Sequence, residues 1–326
     1  MNVTGVLELP YLEEGLAVLE EKLLVASRAG DAFLDGVTSH LISAGGKRLR
    51  PTLSLASASL VPGYEGPSAD TIQGGVAVEL VHLASLYHDD VMDEATMRRN
   101  VQSVNARWGN LVAIVAGDFL LARSAELAAE LGAEIAGLLA NTLGRLCQGQ
   151  VAEVQTAFMV NRTEDQYLQA IAGKTASLMA TACRIGALTA GVDRDQVDML
   201  TSYGERFGMA FQVRDDILDV VASEHELGKP PGQDLAEGIY TLPVLRALKD
   251  PALSSELRPL LGQPLADPER DKAREIVAGS NGVSWAVEIG KRFALEAAER
   301  AEALPASMAK TGLVNLAMWL ADSIPS

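Results

Sequence analysis

The chain has 326 residues, 48% of them hydrophobic, so it is long enough to bury a large core. Its 43 acidic residues outnumber its 27 basic residues, and the formal net charge is -16 at pH 7. This balance argues against nucleic acid, and against an anionic membrane surface, as a general electrostatic partner. An anionic ligand therefore requires a local cluster of basic side chains.

Several features of the chain are typical of a cytoplasmic protein. Cys147 and Cys183 are its two cysteines, and both lie in Ala/Leu-rich helical sequence, where we interpret them as reduced core residues. The N-terminal segment has no basic start followed by an apolar stretch, so we expect no signal peptide. No apolar run reaches the length of a membrane span. We therefore expect a cytoplasmic protein without a transmembrane segment.

Helical periodicity dominates the chain, and the alternation typical of strands is nearly absent. Pairs such as Gly45-Gly46 and Pro230-Pro231 mark breaks between helices. The length allows two domains, but we expect residues 1–326 to form a single all-α domain, a large helical bundle around a central substrate cavity. The predicted helices cover residues 11–29, 31–44, 49–61, 69–93, 110–131, 133–159, 164–172, 174–190, 194–221, 241–249, 268–278, 284–303 and 307–322.

The first chemically informative segment is Gly-Gly-Lys-Arg-Leu-Arg-Pro at residues 45–51. Its glycines allow a ligand to approach the backbone, and the spacing predicts that Lys47 and Arg50 point the same way. Arginine offers a planar fork and lysine a mobile charge to a diphosphate. Taken alone, this segment and the later pair Arg98-Arg99 are equally typical of ordinary surface cations. Together, in an acidic chain, they indicate anion sites.

Two acidic clusters follow largely apolar helical sequence: Asp-Asp-Val-Met-Asp at 89–93 and Asp-Asp-Ile-Leu-Asp at 215–219. Residues four apart share a helix face, so the first and last aspartates of each cluster form an acidic stripe. Carboxylates this close repel one another unless cations compensate, and hard oxygen ligands favour Mg²⁺ or Mn²⁺. A solvated helix face is the alternative, but the apolar flanks disfavour it. We predict two opposing metal-binding clusters.

These motifs resemble, in order and spacing, those of the trans-type isoprenyl diphosphate synthases, also called polyprenyl synthetases. The resemblance covers residues from about 40 to 245. The matching segments are 45–51, His-Asp-Asp-Val-Met-Asp at 88–93 with Arg98-Arg99, Lys174-Thr175, Phe-Gln-Val-Arg-Asp-Asp-Ile-Leu-Asp at 211–219, and Gly228-Lys229 with Asp234-Leu235. The resemblance implies the isoprenoid synthase fold, a homodimer, and repeated elongation of an allylic diphosphate by isopentenyl diphosphate with release of pyrophosphate.

The resemblance also implies roles for the acidic residues. Three Mg²⁺ ions would hold the allylic diphosphate, and they would stabilise the charge that builds on it as the carbon-oxygen bond ionises. The residues implied as metal ligands or as their support are Asp89, Asp90, Asp93, Asp215, Asp216 and Asp219. No protein base is apparent, since in the family the departing diphosphate is thought to take the proton. We interpret His88 as structural.

The implied substrate residues fall into three groups. Arg98, Lys174 and Lys229 would contact the leaving diphosphate. The residues that would hold isopentenyl diphosphate are Lys47, Arg50, His82 and Arg99. The oxygens of Thr175 and Gln212 would face the allylic cation. One departure is Ile239, where many members of the family have lysine, so one cation near the diphosphate is missing.

Product length is expected to depend on the side chains one turn before the first aspartate cluster. In the family these residues form a floor beneath the growing chain, and here they are the small Ala84 and Ser85. The tunnel should then continue past Val81 and Val78 to products longer than C15. A residue on a facing helix, such as Phe158 or Met159, is the alternative floor and would permit C20.

Two alternative functions remain. A class I terpene cyclase shares the fold and the first aspartate cluster, but usually has a mixed Asn/Ser/Glu pattern in place of the second. A non-catalytic subunit of a heteromeric prenyl synthase typically loses aspartates or cations that this chain keeps, apart from the position of Ile239. A polyprenyl diphosphate synthase is therefore the favoured function.

Overall fold

The computed structural model describes residues 3–227 and 230–325, and helices account for nearly all of its regular structure. The predicted all-α fold class is confirmed. The helices are α1 (Val3–Leu7), α2 (Leu12–Ala26), α3 (Ala32–Thr38), α4 (His40–Ser43), α5 (Leu49–Ala58), α6 (Ala69–Met92), α7 (Val104–Trp108), α8 (Asn110–Glu130), α9 (Ala133–Thr156), α10 (Glu164–Ile171), α11 (Ser177–Ala190), α12 (Arg194–Val221), α13 (Glu224–Leu227), α14 (Gln233–Ala236), α15 (Leu242–Ala247), α16 (Pro251–Leu257), α17 (Asp267–Ala278), α18 (Asn281–Glu302) and α19 (Met308–Asp322).

Two further elements interrupt this series. A hairpin of β1 (Met97–Arg98) and β2 (Val101–Gln102) is antiparallel, with Met97 opposite Gln102. A π-helical turn, Ala172–Ala176, joins α10 to α11 without a break. π-Turns of this kind occur frequently at functional sites.

The chain divides into two compact units. The first comprises the described residues up to Leu143, Leu178–Thr201 and Ala303–Leu313. Within it, α6 packs against α8, α2 and α5, and most of its length is buried. Close contact depends on glycine where α11 meets α5, because a Cβ at Gly186 would lie 1.9 Å from the carbonyl oxygen of Ser54.

The second unit comprises Gly144–Ser177, Ser202–Glu302 and the described residues from Val314 onward. Its core includes contacts of α15 with α18 and of α14 with α17. Local signals define where its helices begin. Thr163 and Gln166 form a capping box at α10, in which each side chain accepts a hydrogen bond from the other residue's backbone N–H.

Two sequence-based expectations need correction. The predicted helix 31–44 is two helices, α3 and α4, since the hydroxyls of Thr38 and Ser39 bind helical carbonyl oxygens at the break. Cys147 lies on the exposed face of α9 and is not a core residue. Cys183 is fully buried as expected, and burial raises the pKa of its thiol to about 12. Within residues 3–227 and 230–325, no helix is both long and apolar enough to cross a membrane.

Candidate active site

The first aspartate cluster ends helix α6. Asp89 and Asp90 occupy its last turn, and Asp93 caps it by donating its backbone N–H to the Asp89 carbonyl oxygen at 2.8 Å. Asp90 is completely buried, and Arg98 donates to its Oδ1 from Nε at 2.7 Å and from Nη2 at 2.6 Å. Burial raises the pKa of Asp90, while Arg98 opposes that rise. Asp90 therefore anchors the hairpin arginine, whereas Asp89 is half-buried and Asp93 exposed.

The helix that carries this cluster is fixed to α8 through His88. A Cβ at Gly117 would lie 2.3 Å from His88 Nε2, so only glycine admits the ring. His88 Nε2 is 3.2 Å from the carbonyl oxygen of Ile114 and 3.5 Å from a carboxylate oxygen of Asp118. These contacts agree with the structural role predicted for His88.

The first part of the basic segment 45–51 is not helical, although the predicted common direction of Lys47 and Arg50 rests on helical spacing. Lys47 precedes α5, which begins at Leu49, so helical spacing does not relate it to Arg50. Lys47 is exposed, whereas Arg50 is half-buried. Between them, Arg48 adopts a left-handed conformation with φ 46°. The helical spacing that underlies the predicted common direction of Lys47 and Arg50 is therefore absent, and their common direction stays a prediction.

The charges of Arg48, Arg50 and Arg99 act on both His82 and a carboxylate that the sequence does not single out, Glu79. Glu79 is fully buried on α6, and its carboxylate oxygen lies 3.2 Å from Arg48 Nη1. Burial lowers the pKa of His82 well below its usual value, and the charges of Arg50 and Arg99 lower it further. The imidazole is therefore neutral at pH 7 and provides one donor and one acceptor.

The second aspartate cluster lies near the end of α12, where Asp216 is held on both sides. Its Oδ2 accepts from the hydroxyl of Tyr167 at 2.5 Å, and its Oδ1 accepts from Gln212 Nε2 at 2.8 Å. Gln212 Oε1 in turn accepts from the Thr175 hydroxyl at 2.7 Å. The predicted residues Thr175, Gln212 and Asp216 thus form one chain, to which the structure adds the buried Tyr167.

The outer aspartates of this cluster differ in exposure. The Asp215 side chain is 44% exposed and lies 3.3 Å from Arg214 Nη1. Asp219 is buried, and its Oδ2 accepts the backbone N–H of Asp234 at 3.1 Å. Asp219 therefore binds the first turn of α14 (Gln233–Ala236). Ile239, in that region, is half-buried and donates its N–H to the Asp234 carbonyl oxygen at 2.8 Å. Lys229 lies outside the described residues.

Lys174 lies on the π-turn and is paired with a carboxylate on α9. Its Nζ is 2.5 Å from Glu153 Oε1, with both side chains partly buried. The two elements touch at Gly149, where a Cβ would meet the backbone nitrogen of Lys174 at 2.5 Å. The position of Lys174 therefore depends on backbone contact with α9. Sequence patterns give no signal for Glu153, because a single glutamate on a helix resembles a surface charge.

We expect Gly149→Ala to displace the π-turn and with it Lys174. The new methyl group must push backbone apart, so the free energy of unfolding should fall by about 1–3 kcal/mol. Gly144→Ala is the matched control on the same helix, because its Cβ would meet nothing within 4 Å. That control should be neutral or slightly stabilising, since alanine favours helix. Urea unfolding measures the stability of both variants. Equal free energies of unfolding would show that the contact at Gly149 does not require glycine.

Asp216 gives a pH-dependent prediction. Burial raises its pKa to about 7, with opposing hydrogen bonds from Tyr167 and Gln212. A carboxyl whose pKa is raised on folding contributes stability below its unfolded pKa, and this contribution is lost as pH rises through the folded value. Without Mg²⁺, the stability of wild type relative to Asp216→Asn should therefore fall between about pH 4 and 7. A difference in unfolding free energy that stays constant across that range would refute this.

The residues predicted to set product length lie inside the first unit. Ala84 is fully buried, as is Val78, and Val81 is nearly so. Ser85 is half-buried and donates its hydroxyl to the His82 carbonyl oxygen at 2.8 Å. All of these residues lie on α6, and the two positions four and five residues before Asp89 carry the small side chains of Ser85 and Ala84.

The alternative floor residues lie in the second unit. Phe158 has a left-handed backbone, φ 60°, and its ring packs against Gly238, where a Cβ would lie 2.4 Å from a ring carbon. Met159 is 42% exposed. The aromatic side chain of Phe158 is therefore occupied by a contact within its own unit.

Comparison with known proteins decides the family. The profile of the family described as polyprenyl synthetase matches residues 31–278. The chain belongs to the polyprenyl synthetase family. It is 39% identical over 293 residues to the nonaprenyl diphosphate synthase of Mycobacterium tuberculosis, covering 89% of this chain and 87% of that protein. It is 35% identical to heptaprenyl diphosphate synthase component 2 of Geobacillus stearothermophilus, covering 95% and 96% of the two chains.

A solved structure supports the same conclusion for the fold. Geranylgeranyl pyrophosphate synthase from Corynebacterium glutamicum, complexed with calcium and isoprenyl diphosphate, superposes with a TM-score of 0.83. It is 37% identical and covers 97% of this chain and 96% of its own. The predicted isoprenoid synthase fold, family and prenyltransferase class of this polyprenyl synthetase are thereby confirmed, and the terpene cyclase reading loses its support.

Proposed function

We propose that this polyprenyl synthetase condenses isopentenyl diphosphate with an allylic diphosphate, repeatedly, to a polyprenyl diphosphate longer than C15, releasing pyrophosphate. The product length is supported by the small, buried Ala84 and the small Ser85, and by similarity to a nonaprenyl diphosphate synthase. The family profile includes sequence from both compact units, which supports a single functional domain. A homodimer in the cytoplasm completes the proposal.

The shared arrangement of the two aspartate clusters is the main support for this reaction. In both aspartate clusters the second carboxylate is buried and hydrogen-bonded to protein, by Arg98 at Asp90 and by Tyr167 and Gln212 at Asp216. The first aspartate of each cluster remains partly exposed to solvent. An internal salt-bridge network would not need one buried and one partly exposed aspartate in each of two clusters. Partly exposed carboxylates on a rigid support are suited to bind a metal-diphosphate complex.

The donor set fits Mg²⁺, because carboxylates are the hard oxygen ligands this ion prefers. We propose Asp89, Asp93, Asp215 and Asp219 as the residues that hold it, with Mn²⁺ as a possible substitute. Within the described parts of the chain, no three His, Cys, Asp or Glu side chains form a complete metal site by themselves. Oxygens of the diphosphate and of water would complete the set of ligands. Bound Mg²⁺ supplies positive charge that stabilises the departing diphosphate.

The basic and polar side chains complete the proposed site. Lys174 and Arg98, with Lys229, would bind the leaving diphosphate, since each can donate charge-assisted hydrogen bonds. Isopentenyl diphosphate would bind to Lys47, Arg50, His82 and Arg99. The chain Thr175–Gln212–Asp216 fixes the Gln212 amide, so that its dipole has one orientation beside the allylic cation.

Product analysis tests the proposal. The purified chain should be incubated with isopentenyl diphosphate, Mg²⁺ and C5, C10, C15 or C20 allylic primers, and the dephosphorylated products sized. We expect Mg²⁺-dependent elongation to products beyond C15. Absence of elongation with every primer would refute a self-sufficient enzyme, and arrest at C20 would assign a geranylgeranyl diphosphate synthase.

A second candidate has one specific observation in its favour. The similarity to a heptaprenyl diphosphate synthase component suggests a catalytic or non-catalytic subunit of a two-component enzyme. Adding an accessory subunit of such an enzyme should then restore elongation that the isolated chain lacks. Elongation by the chain alone would reject this candidate.

A further inference from the structure

One buried carboxylate, Glu79, is paired with Arg48 and is influenced by the charges of Arg50 and Arg99, two arginines of the proposed isopentenyl diphosphate site. Glu79 lies on α6, with its side chain only 2% exposed. Its neighbours in charge are Arg48, Arg50 and Arg99, all within the first unit. Burial raises the pKa of Glu79, and the three arginines oppose this rise. Removing a carboxylate and guanidinium groups from water costs desolvation free energy. Such a cluster in the core therefore points to a role for Glu79.

Arg48 is the direct partner of Glu79 and faces into the protein. It donates from Nε and Nη2 to the two carboxylate oxygens of Glu20, each at 2.6 Å, and from Nη1 to Glu79 at 3.2 Å. Nη2 also donates to the carbonyl oxygen of Ile42 at 3.1 Å. Its side chain is 9% exposed and its φ is 46°, a conformation that costs a non-glycine residue free energy. Arg48 is therefore committed to protein contacts.

Arg99 holds the same segment from the hairpin. Its Nη1 donates to the carbonyl oxygen of Leu41 at 2.8 Å and also to that of Gly45. Its φ of 53° is left-handed as well. Two arginines in strained conformations thus bind carbonyls of residues 41–45, directly before Lys47.

Arg50 differs from Arg48 and Arg99 in one respect. Its Nε is buried and has no hydrogen-bond partner in the described part of the chain. An unsatisfied guanidinium donor is costly, so this group is suited to receive an anion. The charges of Glu79 and Arg99 both act on Arg50.

We propose that Glu79 is a positioning residue for isopentenyl diphosphate: through Arg48 and the charges of Arg50 and Arg99, it holds the cations of this subsite in place before the substrate arrives. This inference rests on the proposed function for the identity of the anion. Like charges repel at short range, and a central carboxylate offsets that repulsion without contacting the ligand. The site is then preorganised, which lowers the cost of binding.

Direct binding tests this role without turnover. Isopentenyl diphosphate is titrated into the protein by calorimetry without Mg²⁺, with wild type, Glu79→Gln, Glu79→Asp and the exposed control Glu126→Gln. We expect Glu79→Gln to weaken binding roughly tenfold or more, as for loss of a buried charge partner. Glu79→Asp should recover part of the affinity, and Glu126→Gln should bind as wild type.

Kinetics separate positioning from general damage. In Glu79→Gln, KM for isopentenyl diphosphate should rise by a similar factor, while kcat and KM for the allylic primer stay within about twofold. Unchanged affinity for isopentenyl diphosphate, or equal losses for both substrates, would overturn the inference. If Glu79→Gln does not fold, the affinity of Arg48→Lys for isopentenyl diphosphate is measured instead. One ammonium group cannot bind both Glu20 and Glu79, so this affinity should fall. Wild-type affinity in Arg48→Lys would then overturn it.

The two proposals fail in different ways. If wild type binds isopentenyl diphosphate but elongates no primer, the proposed reaction fails and the role of Glu79 remains testable by affinity. If wild type elongates and Glu79→Gln binds normally, only the role of Glu79 fails.

Discussion

Asp89→Asn is expected to lower the rate of elongation by a factor of about 10² to 10³ while leaving the helix folded. Asp89 is half-buried in the last turn of α6, beside Asp90, which is buried and bound to Arg98. An amide cannot supply the negative charge that Mg²⁺ requires, so the metal-diphosphate complex should bind more weakly. The Mg²⁺ concentration for half-maximal rate should rise in the same variant.

The matched control is Asp70→Asn, which changes an exposed aspartate in the first turn of the same helix. Its cost should be limited to about 0.3–1 kcal/mol of stability from the lost helix-dipole interaction. Elongation by this control should match wild type. If Asp89→Asn retains the rate and Mg²⁺ response of wild type, the assignment of Asp89 as a metal ligand is wrong.

Ala84→Phe is expected to shorten the product to about C15, the largest change in specificity that a single substitution should cause here. Ala84 is fully buried one turn before the first aspartate cluster, and phenylalanine adds a bulky ring at that point. If the growing chain passes this face of α6, the ring should stop it. Overpacking should also cost about 1–3 kcal/mol of stability. Sizing the dephosphorylated products by chromatography gives the answer.

A control must distinguish blockage from lost stability. Ala273→Phe introduces the same ring at a fully buried alanine of α17, in the other compact unit. It should lower the free energy of unfolding to a similar extent and leave product length unchanged. If Ala84→Phe folds and still makes the wild-type product, the growing chain follows a different path. Shortening by both variants would show that product length responds to stability in general.

Much of the site could be predicted because its chemistry requires particular residue types at fixed spacings. The clusters 89–93 and 215–219 stand out as carboxylates after apolar helices, and the helix limits for α6 and α12 agree with the periodicity. Lys174-Thr175 is recognised through the family motif. The π-turn that presents Lys174 has no signal in the local sequence, and its backbone lies against Gly149 of α9, a contact between residues far apart in the chain.

The all-α class, the family, and the acidic and basic residues with which this protein would act on diphosphates follow from the amino-acid sequence alone. These depend on local periodicity and residue chemistry. Which charges face inward depends on the packing of the helices: Arg48 pairs with Glu20 and Glu79, and Asp216 is bound by Tyr167. Burial and pairing are set by helices far apart in the chain, and no local pattern records them.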